Sequence, residues 1–369
     1  MNTDTVRRIR VLIVDDSAVV RRLVAQALGM QPDMEVTGCV ESGRAALESV
    51  AGDRPDAVVL DLEMPGMDGF ETLRELKRRH ADLPVLVFSS HSSQGASATV
   101  DALLAGADEY ATKPANLTAG SSPWVTIQTE LALKLRAVTR RARRLELART
   151  VTHVSEPPAI SLRPAVARVR AIVIGTSSGG PEALAALLPR FSNSLRVPLL
   201  IVQHMPRSFT AALAARLNDK SRLRVVEAYH AQVIEPGVAY LAPGDRHMQV
   251  GNRGGKVSVQ LDEGPLENGC RPSVDPLFRS AAEVYGVGLL AVVLTGIGSD
   301  GLEGARKVAA NGGQTWVQDE SSSAVWGMPG AVSRAGLARR TYSLDALACA
   351  IEAVVADGLP RHSLADGEP

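Results

Sequence analysis

Short β-branched apolar runs alternate with stretches of helical period, and this happens twice along the chain. In the first third the runs are "RVLIVDD", "AVVLDL" and "VLVFSS". Between them lie stretches such as "SAVVRRLVAQALG", which sets Val19, Leu23, Ala27 and Leu28 on one helical face. Strands separated by helices pair in parallel, because a parallel neighbour needs a long crossover. The crossing helices then cover both faces of the sheet. The pattern stops near Pro114 and resumes at Arg170, where "AIVIG", "PLLIVQHM" and "LLAVVLTGI" read as buried strands. "VAYLAP", "MQV" and "KVSVQL" read as shorter, antiparallel pieces. Helices are expected over 181–189, 208–218, 274–285, 301–311 and 344–357.

The expected architecture is α/β, with two doubly wound parallel-sheet domains. A flavodoxin-like unit occupies 8–118 and a Rossmann-like unit with a small antiparallel portion occupies 170–358. Residues 119–169 read as a helical, Pro-rich linker: basic "LALKLRAVTRRARRLELART" gives way to "HVSEPPAISLRPAV", which has no period. The arginine run reads as a solvated helix face, with a binding patch as the alternative. Composition removes several classes of function. Lys+Arg and Asp+Glu are equal at 40 each, without the basic excess of a nucleic-acid binder, and no helix-turn-helix pattern is visible. Cys39, Cys270 and Cys349 are scattered and form no CxxC pair, which points to a reducing compartment. No apolar run reaches the ~18 residues of a membrane span, and the start of the chain is too short in apolar residues for a signal segment. The expectation is a soluble cytoplasmic protein with no nucleic acid and no membrane insertion.

Asp15 and Asp16 follow the first strand, Asp61 ends the third, Ser89 ends the fourth and Lys113 ends the fifth. In a parallel sheet these ends share one edge, where ligands bind. Three close carboxylates repel one another, and a hard divalent ion such as Mg²⁺ resolves the repulsion. A nearby lysine can neutralise a transferred phosphoryl group and a serine can hydrogen-bond it. A single aspartate at a strand end would be an ordinary helix cap; five suitable residues on successive strands go beyond capping. The segments "VLIVDDS", "LDLEMPGMDG", "VFSS" and "EYATKP" resemble the receiver domain of two-component response regulators. The resemblance implies Asp61 as phosphoacceptor. It implies Asp15, Asp16, Asp61 and the backbone carbonyl of Glu63 as Mg²⁺ ligands. Ser89 and Lys113 would contact the phosphoryl group, Tyr110 would be the switch aromatic, and Lys113–Pro114 would be a cis peptide. A histidine kinase of the chemotaxis type would be the phosphodonor.

The second unit opens with "VIGTSSGGPEALAALLP". A phosphate-binding P-loop needs a lysine that is missing here, and Gly175, Gly179 and Gly180 lack dinucleotide-turn spacing. Gly175, Ser177 and Gly179 fit G-x-S-x-G, the pattern of a nucleophile elbow between strand and helix. Small residues permit a tight turn, and the helix N-terminus favours an oxyanion. A Gly/Ser turn before a helix is also ordinary capping, so the motif needs partners. His204 ends "LLIVQH" and Asp300 follows "LLAVVLTGIGSDG". Nucleophile, base and orienting acid would then sit at three strand ends. The order Ser, His, Asp differs from that of α/β-hydrolases. His247, in "PGDRH", is a rival base.

The segments "GTSSGGPEAL", "QHMP", "LAPGDRHM", "RPSVDPLFRSAA", "LTGIGSDG" and "QDESSSAVWGMPGAV" resemble the catalytic domain of chemotaxis protein-glutamate methylesterases, the CheB family. Receiver, linker and catalytic domain in this order are that family's architecture. The resemblance implies Ser177 as nucleophile, His204 as base and Asp300 as orienting acid. Ser178, Ile297 and Met205 would belong to the cleft or its oxyanion site, with Thr295, Gly296, Arg246, His247, Met328 and Pro329 lining it. Thr176-Ser177-Ser178 stands where the family commonly has Ala-Ser-Thr, and Ile297 where it commonly has Met. The implied activity is phosphorylation-activated hydrolysis of glutamate γ-methyl esters on methyl-accepting chemoreceptors. Methanol is released, receptor glutamines are deamidated, and the ester step uses no cofactor. The alternatives are a non-catalytic receptor-binding adaptor and a methylesterase of a non-motility chemosensory pathway.

Overall fold

The computed structural model describes residues 7–90, 92–113, 130–150, 168–193 and 195–357. None of the described helices is long and apolar enough to cross a membrane. The chain divides into two compact units, each built on its own parallel sheet.

In the first unit β1 (Ile9–Val14), β2 (Met34–Val40), β3 (Ala57–Leu60), β4 (Val85–Ser89) and β5 (Glu109–Thr112) take the order β2-β1-β3-β4-β5. All their pairings are parallel. This is the flavodoxin-like order, whose switch point lies between β1 and β3. Four helices cover the sheet: α1 (Ala18–Gly29), α2 (Gly43–Gly52), α3 (Gly69–Arg79) and α4 (Ser93–Leu104). Ser17, Ser42, Asp68 and Ser92 cap them, each accepting an N–H of the first turn. On α1 the buried residues are Val24, Ala27 and Leu28, with Val20 and Leu23 packed beside them. Val19 is 59% exposed, so the face expected from Val19 is rotated. The doublet Val19-Val20 allows either phase, and the stripe that reaches the sheet starts at Val20.

Within the segment read as linker the described residues form α5 (Ala132–Thr150). Leu131, Ala132 and Leu135 join the core of the first sheet. Arg136 closes on Asp33 through bonds of 2.8 and 2.7 Å. The arginine-rich text hid apolar positions 131, 135 and 138, which share one helical face.

In the second unit β6 (Ala171–Thr176), β7 (Leu199–Gln203), β8 (Arg224–Glu227), β9 (Val238–Leu241), β12 (Leu289–Val293), β13 (Gln314–Gln318) and β14 (Ala338–Tyr342) form one sheet. Its order is β14-β13-β12-β6-β7-β9-β8, with parallel pairings throughout. β10 (His247–Arg253) and β11 (Lys256–Asp262) form a separate antiparallel hairpin. The helices are α6 (Gly180–Leu187), α7 (Arg207–Lys220), α8 (Val274–Tyr285), α9 (Leu302–Ala310), α10 (Met328–Arg334) and α11 (Leu344–Asp357). "MQV" and "KVSVQL" are antiparallel as expected. "VAYLAP" is not: it holds β9, parallel between β7 and β8. Its outer neighbour β8 is only "RVVE" and shows no apolar run in the sequence. β12, β13 and β14 extend the sheet from β6 in one direction, and β7, β9 and β8 extend it in the other. The crevice at β6 and β12 is therefore the switch point. Val173, Leu200, Tyr240, Phe278, Val293 and Met328 fill the core beneath it.

Candidate active site and acid site

β6 ends in the turn that starts α6, and the two glycines of G-x-S-x-G have separate reasons to be there. A Cβ on Gly175 would lie 2.4 Å from Val274 Cγ1. Gly179 has φ 74°, a left-handed conformation. Between them, Ser177 donates its N–H to Thr295 O at 3.0 Å, which ties the turn to the end of β12. Gln203, the last residue of β7, donates from Nε2 to Ser177 O at 2.9 Å and to His204 O at 3.2 Å. It thereby joins the turns that carry the serine and the histidine. Across the crevice a Cβ on Gly296 would meet Ser177 Cβ at 2.9 Å and Met328 Sδ at 2.2 Å.

His204 Nε2 lies 2.7 Å from Asp300 Oδ2. The same carboxylate accepts from Val274 N (2.7 Å), Gly301 N (2.8 Å), Asn268 Nδ2 (2.8 Å), Ser273 Oγ (2.9 Å) and Asp275 N (3.1 Å). Val274 N and Asp275 N open α8, so Asp300 caps that helix and meets the positive end of its dipole. Burial alone would push Asp300 up; His204, the Val274 N–H and the Ser273 hydroxyl outweigh it and hold the acid below its usual range. An ionised carboxylate only accepts, so Nε2 carries a proton, and Nδ1 holds the lone pair whenever the ring is neutral. Burial would lower the His204 pKa, but Asp300 and Cys270 reverse that and raise it to about 9. Cys270 Sγ lies 3.6 Å from Nδ1. Among the described residues no hydrogen bond joins Ser177 to His204.

Behind this pair stands a second buried acid that the sequence reading missed. Asn268 Nδ2 bridges Asp300 to Asp275 Oδ2 at 2.8 Å, and Asp275 Oδ1 accepts from Gly304 N at 2.6 Å. Burial first, and Asp300 as well, push Asp275 up to about 6. His247 is engaged by backbone groups. Its Nε2 meets Pro265 O at 2.9 Å and its Nδ1 accepts Ser273 N–H at 3.2 Å, so both nitrogens are taken by backbone. Arg246 pairs with Glu263. Met205 and Ser178 are buried. Thr295 is held by Gln318 Oε1, which accepts its N–H at 2.9 Å. Gly296 O accepts from Met328 N at 2.9 Å, which sets the start of α10, with Pro329, beside the turn. Ile297 N–H makes no hydrogen bond among the described residues.

At the C-terminal edge of the first sheet, Asp15, Asp16 and Asp61 offer oxygens that lie within 4.8 Å of one another. Lys113 Nζ sits 2.8 Å from Asp15 Oδ2 and 2.7 Å from Asp61 Oδ2. Burial raises the Asp61 pKa and Asp15 adds to it; Lys113 opposes both without cancelling them. Burial would lower Lys113, but the two carboxylates hold it above its ordinary value. The donor set is all oxygen, with Asp16 exposed on the open side, and this fits a hard divalent cation. Glu63 donates its N–H to Asp61 Oδ1 at 3.1 Å. Ser89 is buried and donates to Gly95 O at 3.2 Å. Tyr110 is buried with its ring 4.5 Å from Lys134 Nζ, and burial pushes its phenol well up. Pro114, and with it the Lys113–Pro114 peptide, lies outside the described residues.

The class these two units define is a response regulator with an enzymatic output. Residues 11–120 match the response regulator receiver domain and residues 172–351 match the CheB methylesterase family. A protein-glutamate methylesterase/protein-glutamine glutaminase from Nocardioides sp. (strain ATCC BAA-499 / JS614) is 45% identical over 342 residues, 91% of this chain and 92% of that protein. One of the same name from Trichodesmium erythraeum (strain IMS101) is 42% identical over 92% of this chain and 97% of its own length. The Thermotoga maritima CheB methylesterase catalytic domain is 38% identical, covers 51% of this chain and 98% of that domain, and superposes with a TM-score of 0.49. The chain belongs to the CheB family of protein-glutamate methylesterases/protein-glutamine glutaminases.

Proposed function

We propose that Ser177, His204 and Asp300 carry the reaction of this chain, and that Asp61 receives the phosphoryl group that regulates it. The chain is a phosphorylation-regulated protein-glutamate methylesterase and protein-glutamine glutaminase. Ser177 Oγ attacks the γ-carbonyl of a glutamyl methyl ester while His204 Nδ1 takes the hydroxyl proton. The same nitrogen gives that proton to the departing methoxy oxygen, and methanol leaves. Water then attacks the acyl-enzyme by the reverse proton route. With a glutamine side chain ammonia leaves instead, and the acyl-enzyme is the same. The Ile297 N–H and the start of α6 are the donors for the oxyanion. The observation that carries this reading is the 2.7 Å His204–Asp300 pair in the switch-point crevice, with Ser177 on the adjoining turn. A receptor-binding adaptor without catalysis has no use for such a pair.

In the receiver, Asp15, Asp16, Asp61 and the Glu63 carbonyl would hold Mg²⁺, which supplies positive charge where an anionic phosphoryl group must approach carboxylates. Lys113 neutralises the phosphoryl oxygens and Ser89 offers them its hydroxyl. The phosphodonor is a histidine kinase of the chemotaxis type, and the substrate is the cytoplasmic part of a methyl-accepting chemoreceptor. The test is methanol release from methylated receptors. Ser177→Ala should lose on the order of 10⁴-fold in rate while Ser178→Ala retains turnover. The opposite pattern would move the nucleophile to Ser178.

A further inference from the structure

We propose that Cys270 is a second nucleophile of the catalytic crevice, a thiol that shares the imidazole of His204 with Ser177 and takes soft carbon and sulfur electrophiles. The contact His204 makes at Nδ1 is with this sulfur, at 3.6 Å, and not with Ser177. Asp300 orients the ring from Nε2 at 2.7 Å. Thiol, imidazole and orienting carboxylate thus form a Cys–His–Asp arrangement, in which a ring nitrogen lies beside the sulfur and the carboxylate orients the ring. Burial would lower the His204 pKa, but Asp300 and Cys270 raise it to about 9, so the sulfur faces a ring that readily carries positive charge.

The loop around Cys270 is built to keep the sulfur in place. Cys270 N donates to Glu267 O at 2.9 Å and Glu267 N donates to Cys270 O at 3.1 Å. The Glu267 carboxylate is engaged with Arg279, at 2.5 and 2.8 Å. The acid facing the Cys270–His204 pair is therefore Asp300, with Asp275 behind it through Asn268. Cys270 is partly exposed, so a small reagent reaches it. With iodoacetamide, the sulfur forms a bond to the methylene carbon as the carbon–iodine bond breaks. Iodide leaves, and the thiol proton goes to Nδ1 of the neutral ring. The adduct then occupies the space beside the nitrogen that Ser177 needs. This last consequence rests on the proposed role of Ser177; the reactivity of the thiol does not.

Cys39 and Cys349 are both exposed and serve as internal controls. The full chain is treated with iodoacetamide at neutral pH, and labelling of each cysteine is followed by peptide mass spectrometry alongside methanol release. Cys270 should label at least about tenfold faster than the more exposed Cys349. His204→Gln should remove that advantage without changing Cys39 or Cys349, and Ser177→Ala should keep it. Labelling of Cys270 no faster than Cys349, or at an unchanged rate in His204→Gln, overturns the proposal. Methanol release should fall in step with Cys270 labelling, and whatever activity Cys270→Ser has should survive treatment. Equal inactivation of Cys270→Ser would place the sensitive group elsewhere and overturn the link to the esterase.

Discussion

His204 is held between an acid and a thiol, and both partners favour its protonated form over burial. With a pKa raised to about 9, the ring is largely imidazolium at neutral pH and has no lone pair for Ser177. The free base grows as pH rises, so kcat/KM for a methyl ester should climb about tenfold per pH unit from 7 and level near 9. Cys270→Ala removes one of the raising partners and should move that limb to lower pH. A pH–rate series on parent and variant checks both, and a flat profile between pH 7 and 9 would mean His204 is not the base. The meeting of His204 with Asp300 beside the Ser177 turn was foreshadowed in the sequence, because Ser177 and His204 directly follow the apolar runs of β6 and β7 and Asp300 lies in the turn after β12. Cys270, Asn268 and Asp275 were not. They meet His204 and Asp300 only through a loop that returns to the crevice from β11, and no spacing in the text encodes that return. His247 showed the converse: a histidine in a suggestive motif whose two nitrogens go to backbone.

The turn between β6 and α6 works because Gly175 lets the end of the strand lie against α8. Gly175→Ala would drive a methyl into Val274, whose Cγ1 would be 2.4 Å away. Val274 N is also a donor to Asp300, at 2.7 Å, so relief of the clash disturbs the acid as well. The variant should lose about 1–3 kcal/mol of stability by overpacking, seen as a lower urea midpoint, and should lose esterase activity beyond what the unfolded fraction explains. An unchanged midpoint would show that α8 shifts freely. Elements of this kind were mostly readable. Central strands such as β6 and β12 are unbroken apolar runs, and five helices of the second unit ended within two residues of expectation. The strands that escaped were β8 and β14 at the two sheet edges, where polar residues are tolerated, and β13, whose "QTWVQ" mixes both kinds.

Each unit has its own sheet, its own core and its own chemistry, so phosphorylation at one and hydrolysis at the other are separable by experiment. Residues 168–357 contain Ser177, His204, Asp300 and the complete seven-stranded sheet, and such a span fits a normal autonomous domain. The expected mode of regulation is that the unphosphorylated receiver restrains the esterase, so that removal of residues 1–167 lifts the restraint. This fragment should therefore release methanol faster than the unphosphorylated full chain and ignore phosphodonors. A tenfold difference corresponds to about 1.4 kcal/mol of restraint. In the full chain, Asp61→Asn removes the acceptor carboxylate while leaving Lys113 and Asp15 in place, and it should abolish both labelling by a small phosphodonor and the rate increase that follows. Chelation of Mg²⁺ should do the same to the parent chain and nothing to the fragment, because Asp15, Asp16 and Asp61 belong to the part removed. Initial rates at equal enzyme concentration distinguish the outcomes. A folded fragment slower than its unphosphorylated parent would mean that the receiver contributes to catalysis and does not hold it back.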